Sequence, residues 1–403
     1  MEINLFQTHT RGESLQTLGL CQQRIRHLMA VLQDEVARQR LPGAVALIAR
    51  HGKLALFESV GMLDPAAGTL MQLDAIFRIY SMTKPVVSVA AMMLMEQGKL
   101  LLSNPVSHYL PEYAAQQVAS LVGGTVQLQA VHQLATIQDL LRHTAGLTYE
   151  FMGSNAVQRQ YAQARIGSRG RSNAEFSQTL AALPLMFEPA SVWEYSRATD
   201  VLGRVLEVIS GQTLGVYLEE HIFKPLGMTD TGFSVPEQDL GRIAEPFGRD
   251  PQGGLQMRLI DVRQATPMES GGGGLVSTAM DYARFLQFML NKGELDGVRL
   301  LSPRTVDFMT ADHLGPIPVN SGSSRDLLPL GHGFGLGFAV RRDLSVVDLP
   351  GSVGSYFWGG MAGTTFFVDP AADLFACLML QAPNQREYYR RLFRNLVYAT
   401  LLD

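Results

Sequence analysis

The chain has 403 residues, a formal net charge of −4, 46% hydrophobic residues and 17% charged ones. That allows one large domain or two to three ordinary ones, and it offers neither a basic field that would draw nucleic acid nor a charged tail. No apolar run of about 18 residues reads as a membrane span, and Met1 to Leu20 carry Glu2, Arg11 and Glu13 without the apolar stretch of a secretory signal. Cys21 and Cys377 lie far apart and make no redox or metal motif, and the nine histidines form no H-E-x-x-H or His/Cys cluster. The expectation is a soluble, cytoplasmic protein with no nucleic-acid or membrane partner and no metal or other cofactor.

Ile25, Leu28, Met29, Leu32 and Val36 fall at helical spacing within 21–40, and Leu41-Pro42-Gly43 stops that helix. Ala44 to Arg50 reads as a strand, His51-Gly52-Lys53 as a tight turn and Leu54 to Val60 as the antiparallel partner. Next comes Ser81-Met82-Thr83-Lys84, an S-x-x-K tetrad followed by Pro85 and an apolar run from Val86 to Met95. Proline is tolerated only near a helix start, so the helix begins close to Ser81, and Gly98 ends it. The two side chains then share one helix face, with the Ser81 hydroxyl near free backbone N–H groups and the positive end of the dipole. A serine so placed becomes a nucleophile when a neighbour takes its proton. Lysine can do so if held neutral, or it can stabilise a second base. Of the five lysines, at 53, 84, 99, 224 and 292, only Lys84 follows a serine at this distance. The helix is apolar nearly all round, and Met92, Met93 and Met95 read as core rather than as a cofactor box.

Residues 100–230 read mostly as helices and loops, with strands scarce. Thr136 to His143 is helical, Gly167 to Ser172 is a polar loop, and Ala198 to Ile209 is a helix up to Gly211. The glycine run Ser270-Gly271-Gly272-Gly273-Gly274-Leu275 lacks the residues of a phosphate loop, so close backbone packing accounts for it better. Ser277 is the expected N-cap of a helix from Asp281 to Leu290. Phe338 to Arg341, Thr364 to Val368 and Phe375 to Leu380 read as strands, before a closing helix from Gln385 to Leu401.

No G-x-S-x-G pentapeptide occurs, which argues against an α/β-hydrolase elbow. Pro189 to Arg197 puts Tyr195 just before a helix, where its phenol can project into a cleft. The ordered set Ser81-Met82-Thr83-Lys84, Asp139 to Leu147 (DLLRHTAGL), Tyr195-Ser196, Gly272 to Thr278 (GGGLVST) and Trp358-Gly359-Gly360 resembles the family VIII carboxylesterases. These are esterases on the class C β-lactamase and penicillin-binding-protein fold, and the resemblance spans about residues 25 to 400. It implies an α/β (α+β) domain, an antiparallel sheet flanked by helices, built from 1–80 and 231–403. It further implies a mostly helical domain over 81–230, with the active site in the groove between them. By the same resemblance Ser81 is the nucleophile, Lys84 and Tyr195 are the base system, and the oxyanion hole is made by the backbone N–H groups of Ser81 and Met361. Donors of that kind typically contribute about 3 kcal/mol each.

Two departures bear on the substrate. Lactamases of this fold carry Y-x-N where this chain has Tyr195-Ser196-Arg197, which puts Arg197 forward as a substrate-binding cation. They also carry K-T-G on the cleft strand, whereas here Trp358-Gly359-Gly360 stands in that place and no lysine follows Lys292. An indole wall suits a neutral ester better than a carboxylate-bearing lactam. The resulting expectation is hydrolysis of short-chain carboxylic esters, with a small-molecule ester as partner. An acyltransferase, a β-lactamase or D,D-peptidase, and a non-catalytic penicillin-recognising sensor or interaction module are the rivals.

Overall fold

The structure, a computed structural model, describes residues 15–122, 125–322 and 324–403. The expectation of no secretory signal rests mainly on residues 1–14, which lie outside the described residues.

Helix α1 (Gln22–Ala37) turns Ile25, Leu28, Met29 and Leu32 inward at the predicted spacing. Strand β1 (Gly43–Arg50) is buried at every position, β2 (Lys53–Asp64) returns antiparallel beside it, and β3 (Thr69–Leu70) forms the edge. Alternate residues of β1 serve two cores: Ala44, Ala46 and Ile48 face the α1 side, Val45, Leu47 and Ala49 the other. Strand β4 (Phe77–Arg78) leads through a 3₁₀ turn, Tyr80–Met82, into α2 (Thr83–Glu96). Helix α2 is buried without a break from Thr83 to Leu94, and Gly98, at φ 69°, takes the left-handed position that ends it.

The middle of the chain adds a hairpin that the sequence reading missed, β5 (Gln117–Val122) with β6 (Thr125–Ala130). Helices α3 (Ile137–Leu141), α4 (Ala156–Gln163), α5 (Asn173–Ala181), α6 (Ala198–Ser210), α7 (Leu214–Leu218) and α8 (Lys224–Leu226) follow. Thr136 caps α3 reciprocally with Asp139, and Gly211 at φ 72° closes α6.

Strand β7 (Val276–Ser277) pairs with β4, Phe77 opposite Ser277. Ser277 is therefore a strand residue, and its hydroxyl lies 2.8 Å from that of Thr231. The cap of α9 (Ala279–Leu290) is Thr278, one residue later than expected, whose hydroxyl accepts from Asp281 N–H at 3.1 Å. A small hairpin, β8 (Glu294–Leu295) with β9 (Val298–Arg299), and α10 (Pro303–Met309) precede the last strands. These are β10 (His332–Phe334), β11 (Ala339–Arg341), β12 (Tyr356–Gly359), β13 (Thr365–Asp369) and β14 (Leu374–Leu380), closed by α11 (Arg386–Tyr398).

All eight strands of the main sheet pair antiparallel in the order β10-β11-β12-β13-β14-β1-β2-β3. The first and last segments of the chain thus meet at the β14–β1 pair, and Arg50 pairs with Asp403 at 2.8 Å beside it. Helices α1 and α11 cover one face, while α2 and α9 pack on the other, within the larger core. This is the antiparallel sheet with flanking helices expected from the sequence. Among the described residues no helix is long and apolar enough to cross a membrane.

Candidate active site

Ser81 sits in the 3₁₀ turn that runs into α2, half-buried and facing a cavity. Its neighbour Tyr80 holds φ at 43°, a left-handed conformation that costs a bulky residue of order 1–3 kcal/mol and persists only where surroundings enforce it. Here they do. The Tyr80 hydroxyl accepts from Ile260 N–H at 2.8 Å, Ile79 N–H donates to Leu275 O at 3.1 Å, and the Tyr282 hydroxyl donates to Met82 O at 2.9 Å. The turn is pinned from three sides, and the Ser81 side chain is left at the cavity wall.

Lys84 is fully buried, one turn on, with Nζ 3.4 Å from Ser81 Oγ. The same nitrogen lies 3.0 Å from the Tyr149 hydroxyl, 2.6 Å from Gly272 O and 4.5 Å above the centre of the Tyr195 ring. As an ammonium, Nζ has three protons for its three oxygen partners. As a free amine it has two, with a lone pair left for the Ser81 proton, so the contact set serves either role. The glycine run explains one of these partners. Asp200 accepts from Gly272 N–H at 2.9 Å, a Cβ on Gly272 would stand 2.8 Å from the Asp200 carboxylate, and one on Gly271 would stand 2.6 Å from Thr199 O. The expected close packing is present, and it aims a carbonyl at Lys84.

Tyr149 was not singled out by the sequence, although it follows the quoted Asp139–Leu147 stretch by two residues. Burial, then the charge that neighbouring Tyr195 would carry, pushes its phenol well above the ordinary range. Tyr149 therefore stays protonated and holds Lys84. Loss of one such hydrogen bond amounts to about 1–2 kcal/mol, so Tyr149→Phe is expected to lower kcat about 10-fold. A loss as large as that of Tyr195→Phe, measured side by side, would move the base role to Tyr149.

Tyr195 lies between aromatic neighbours, its ring centre 5.3 Å from Tyr149, 5.3 Å from Trp358 and 4.8 Å from His143. Trp358 Nε1 donates to its hydroxyl at 3.3 Å, and its own N–H donates to Ser324 Oγ at 3.0 Å. His143, also missed, is buried with Nδ1 3.2 Å from Ser196 Oγ. Burial first, and Lys84 second, hold its pKa well below the ordinary value, so it backs the phenol as a neutral ring.

Strand β12 brings Trp358 and Gly359 to the cavity edge, and the turn after it presents Met361. Gly360 N–H is taken by Thr364 O at 2.7 Å, whereas Met361 N–H has no acceptor among the described residues. A Cβ on Gly360 would stand 2.4 Å from Ile79 O, and one on Gly359 would stand 2.7 Å from the Arg390 guanidinium. Glycine at 360 lets this strand end approach the Ser81 turn so closely, and glycine at 359 leaves room for Arg390. Ser81, Tyr195, Trp358, Gly359 and Met361 share one cavity of about 690 Å³, with Phe151, Met152 and Leu327 among its apolar lining. Among the described residues no cluster of His, Cys, Asp or Glu is arranged to hold a metal ion.

The sequence model for the family described as beta-lactamase matches residues 22–399. The chain belongs to the beta-lactamase family. Esterase EstB of Burkholderia gladioli is 34% identical over 374 residues, which cover 87% of this chain and 89% of that protein. Protein Rv1367c of Mycobacterium tuberculosis is 36% identical over 347 residues, 85% of this chain and 86% of its own length. The solved structure of EstCE1, described as a hydrolase with promiscuous acyltransferase activity, has a TM-score of 0.78 at 28% identity, covering 94% of this chain and 99% of that one. The resemblance to the family VIII esterases, a branch of the beta-lactamase fold, is borne out.

Two expected substrate contacts are corrected, the first being Gly360, which does not line the cavity and whose N–H is taken by Thr364 O. The second, Arg197, in the place of the lactamase Y-x-N amide, does not line the cavity either. Its guanidinium binds Glu150 through two nitrogens and Asp200 at 3.3 Å, and lies 4.8 Å over the Tyr149 ring. Burial opposes its charge, but the two carboxylates more than offset that and raise its pKa. Two acidic partners hold the side chain inside the protein. There it steadies Asp200, and through it the Gly272 carbonyl.

Proposed function

We propose that the protein is a serine carboxylesterase that hydrolyses short-chain esters through an acyl-enzyme on Ser81. The observation that carries this reading is the contact of Ser81 Oγ with Lys84 Nζ at 3.4 Å, at the wall of a cavity shared with Tyr195, Trp358 and Met361. Ser81 Oγ attacks the ester carbonyl carbon as its proton passes to the Lys84–Tyr195 pair. The carbonyl oxygen becomes an oxyanion, received by the backbone N–H groups of Ser81 and Met361. Collapse breaks the bond to the alkoxy oxygen, which leaves as the alcohol with the proton returned by the pair. Water, deprotonated by the same pair, then attacks the acyl carbon and frees Ser81 and the acid. An alcohol in place of water gives acyl transfer from the same intermediate, and the activity described for EstCE1 favours this as a secondary reaction. The chemistry calls on no cofactor. Free Cys21 and Cys377 are in keeping with a cytoplasmic location.

Esters are favoured over lactams because Trp358 stands in the place of a lysine and Arg197 is held by Glu150 and Asp200. A cephalosporin carboxylate, close to its scissile bond, then meets an indole. The expected result is that kcat/KM for 4-nitrophenyl butyrate exceeds that for a chromogenic cephalosporin by at least about 10³, or roughly 4 kcal/mol of transition-state discrimination. Comparable efficiencies on the purified protein would replace the esterase reading with a lactamase one.

A further inference from the structure

The cavity that holds Ser81 does not end at Trp358. It continues past Gly359 to the opposite face of β12, where Phe357, Phe367 and His332 line it together with Arg394 of α11. Phe367 belongs to the core on the α11 side of the sheet, and Phe357 packs against both cores. This lobe is distinct from the position that the lactamase lysine would occupy.

Its charge balance is unusual. Arg394 is 4% exposed and Arg341 3% exposed, yet neither has a carboxylate within ion-pair distance among the described residues. Arg394 donates to Pro350 O at 3.1 Å and Ser355 Oγ at 3.3 Å and lies over the rings of Phe357, Phe367 and Tyr398. Arg341 donates to Leu349 O at 2.7 Å and Asp343 O at 3.2 Å, and its Nη1 is buried with no partner among the described residues. The two guanidinium groups converge. A Cβ on Gly351 would stand 2.7 Å from Arg341 Nη1 and 2.9 Å from Arg394 Nη2. Asp369, the carboxylate whose charge acts on Arg394, is already engaged by the Tyr398 hydroxyl at 2.7 Å and by Ser352 N–H at 3.0 Å. The other arginines of this wall each have a carboxylate partner: Glu387 lies between Arg390 and Arg386, and Asp348 takes Arg391.

Two buried like charges are costly unless an anion joins them. The geometry points to a carboxylate-binding lobe at the far end of the active-site cavity, in which Arg394, which lines it, receives a free carboxylate carried by the ester substrate at a distance from its scissile bond, while Arg341, behind the lining and converging with Arg394 on Gly351, adds its charge. The neighbouring imidazole is consistent with the positive field. Burial first, then Arg394, pulls the His332 pKa down to about 4. The substrate class is therefore an acidic ester, such as a half-ester of a dicarboxylic acid, and this rests on the esterase reading above.

The test compares each acidic ester with its own methyl ester. Mono-4-nitrophenyl adipate places the carboxylate on the acyl side, and 4-(carboxymethyl)phenyl acetate places it on the leaving side, so the two arms tell which part reaches the lobe. In the parent protein the acid is expected to exceed its methyl ester in kcat/KM by at least about 10-fold in one arm. Arg394→Met should reduce that ratio at least about 10-fold, while Arg394→Lys retains most of it; a purely structural role would lower both substrates together and leave the ratio alone. Because Arg394 also stacks on three rings, Arg341→Gln is read in parallel and should lower the same ratio. A parent ratio at or below one in both arms, or a ratio unchanged in Arg394→Met and Arg341→Gln, overturns the proposal. Should neither ester turn over, the esterase reading is what fails. Calorimetric titration of Ser81→Ala with monomethyl adipate then tests the lobe alone, and no binding there rejects it.

Discussion

Ser81→Ala is expected to reduce ester hydrolysis to background, a loss of at least about 10⁴ in kcat, without unfolding the protein. In the proposed mechanism the covalent bond that splits ester hydrolysis into two easier steps forms at this hydroxyl, and no neighbour can replace it. Lys84 Nζ is the one side-chain partner of Ser81 Oγ among the described residues, and it keeps Tyr149 and Gly272 O when the hydroxyl is gone. The turn is held through Tyr80, Ile79 and Met82 rather than through the serine side chain. Stability should therefore change by no more than about 1 kcal/mol in thermal unfolding. Retention of more than a few per cent of the rate by a well-folded variant would place the nucleophile elsewhere.

Lys84→Met and Tyr195→Phe are each expected to lower kcat by about 10² to 10⁴, the usual range for a positioned acid–base group. Methionine rather than alanine is chosen because Lys84 is fully buried within α2 and a void there would confuse lost chemistry with lost packing. The double variant should lose much less than the product of the single losses. Nζ lies 4.5 Å from the centre of the Tyr195 ring and the phenol is tied to Trp358, and in the proposed mechanism the two groups handle one proton as a unit. Fully multiplicative losses would mean that they work independently.

The parts of the fold written as periodicity were legible. The α1 stripe, the β1–β2 hairpin and the Pro85 start of α2 each express a local rule, and local rules held. The β5–β6 hairpin was missed although Gly123-Gly124 lies between two stretches of alternating residues, which is a hairpin signal in its own right. The shift of the α9 cap from Ser277 to Thr278 reflects a tertiary contact, since pairing with Phe77 draws Ser277 into a strand.

The site divides in the same way. Ser81 and Lys84 are one helical turn apart, so their contact follows from spacing alone. Tyr195 and Trp358 meet across 163 positions and could be named only through the ordered motifs of the esterase resemblance. The Gly272 carbonyl on Lys84 is a main-chain group that no residue type announces. Arg197 was misplaced because its fate depends on Glu150, 47 positions away, which captures the guanidinium that the motif comparison had put in the cleft.

The most direct test is covalent labelling with a 4-nitrophenyl alkylphosphonate, whose phosphorus takes the place of the ester carbonyl carbon and keeps the bond to the attacking oxygen. One equivalent of 4-nitrophenol should be released per chain as ester hydrolysis is lost, with a single phosphonyl group on the peptide containing Ser81 and none in Ser81→Ala. Inactivation with the adduct on any other residue, or continued turnover by a chain fully labelled at Ser81, would contradict the assignment.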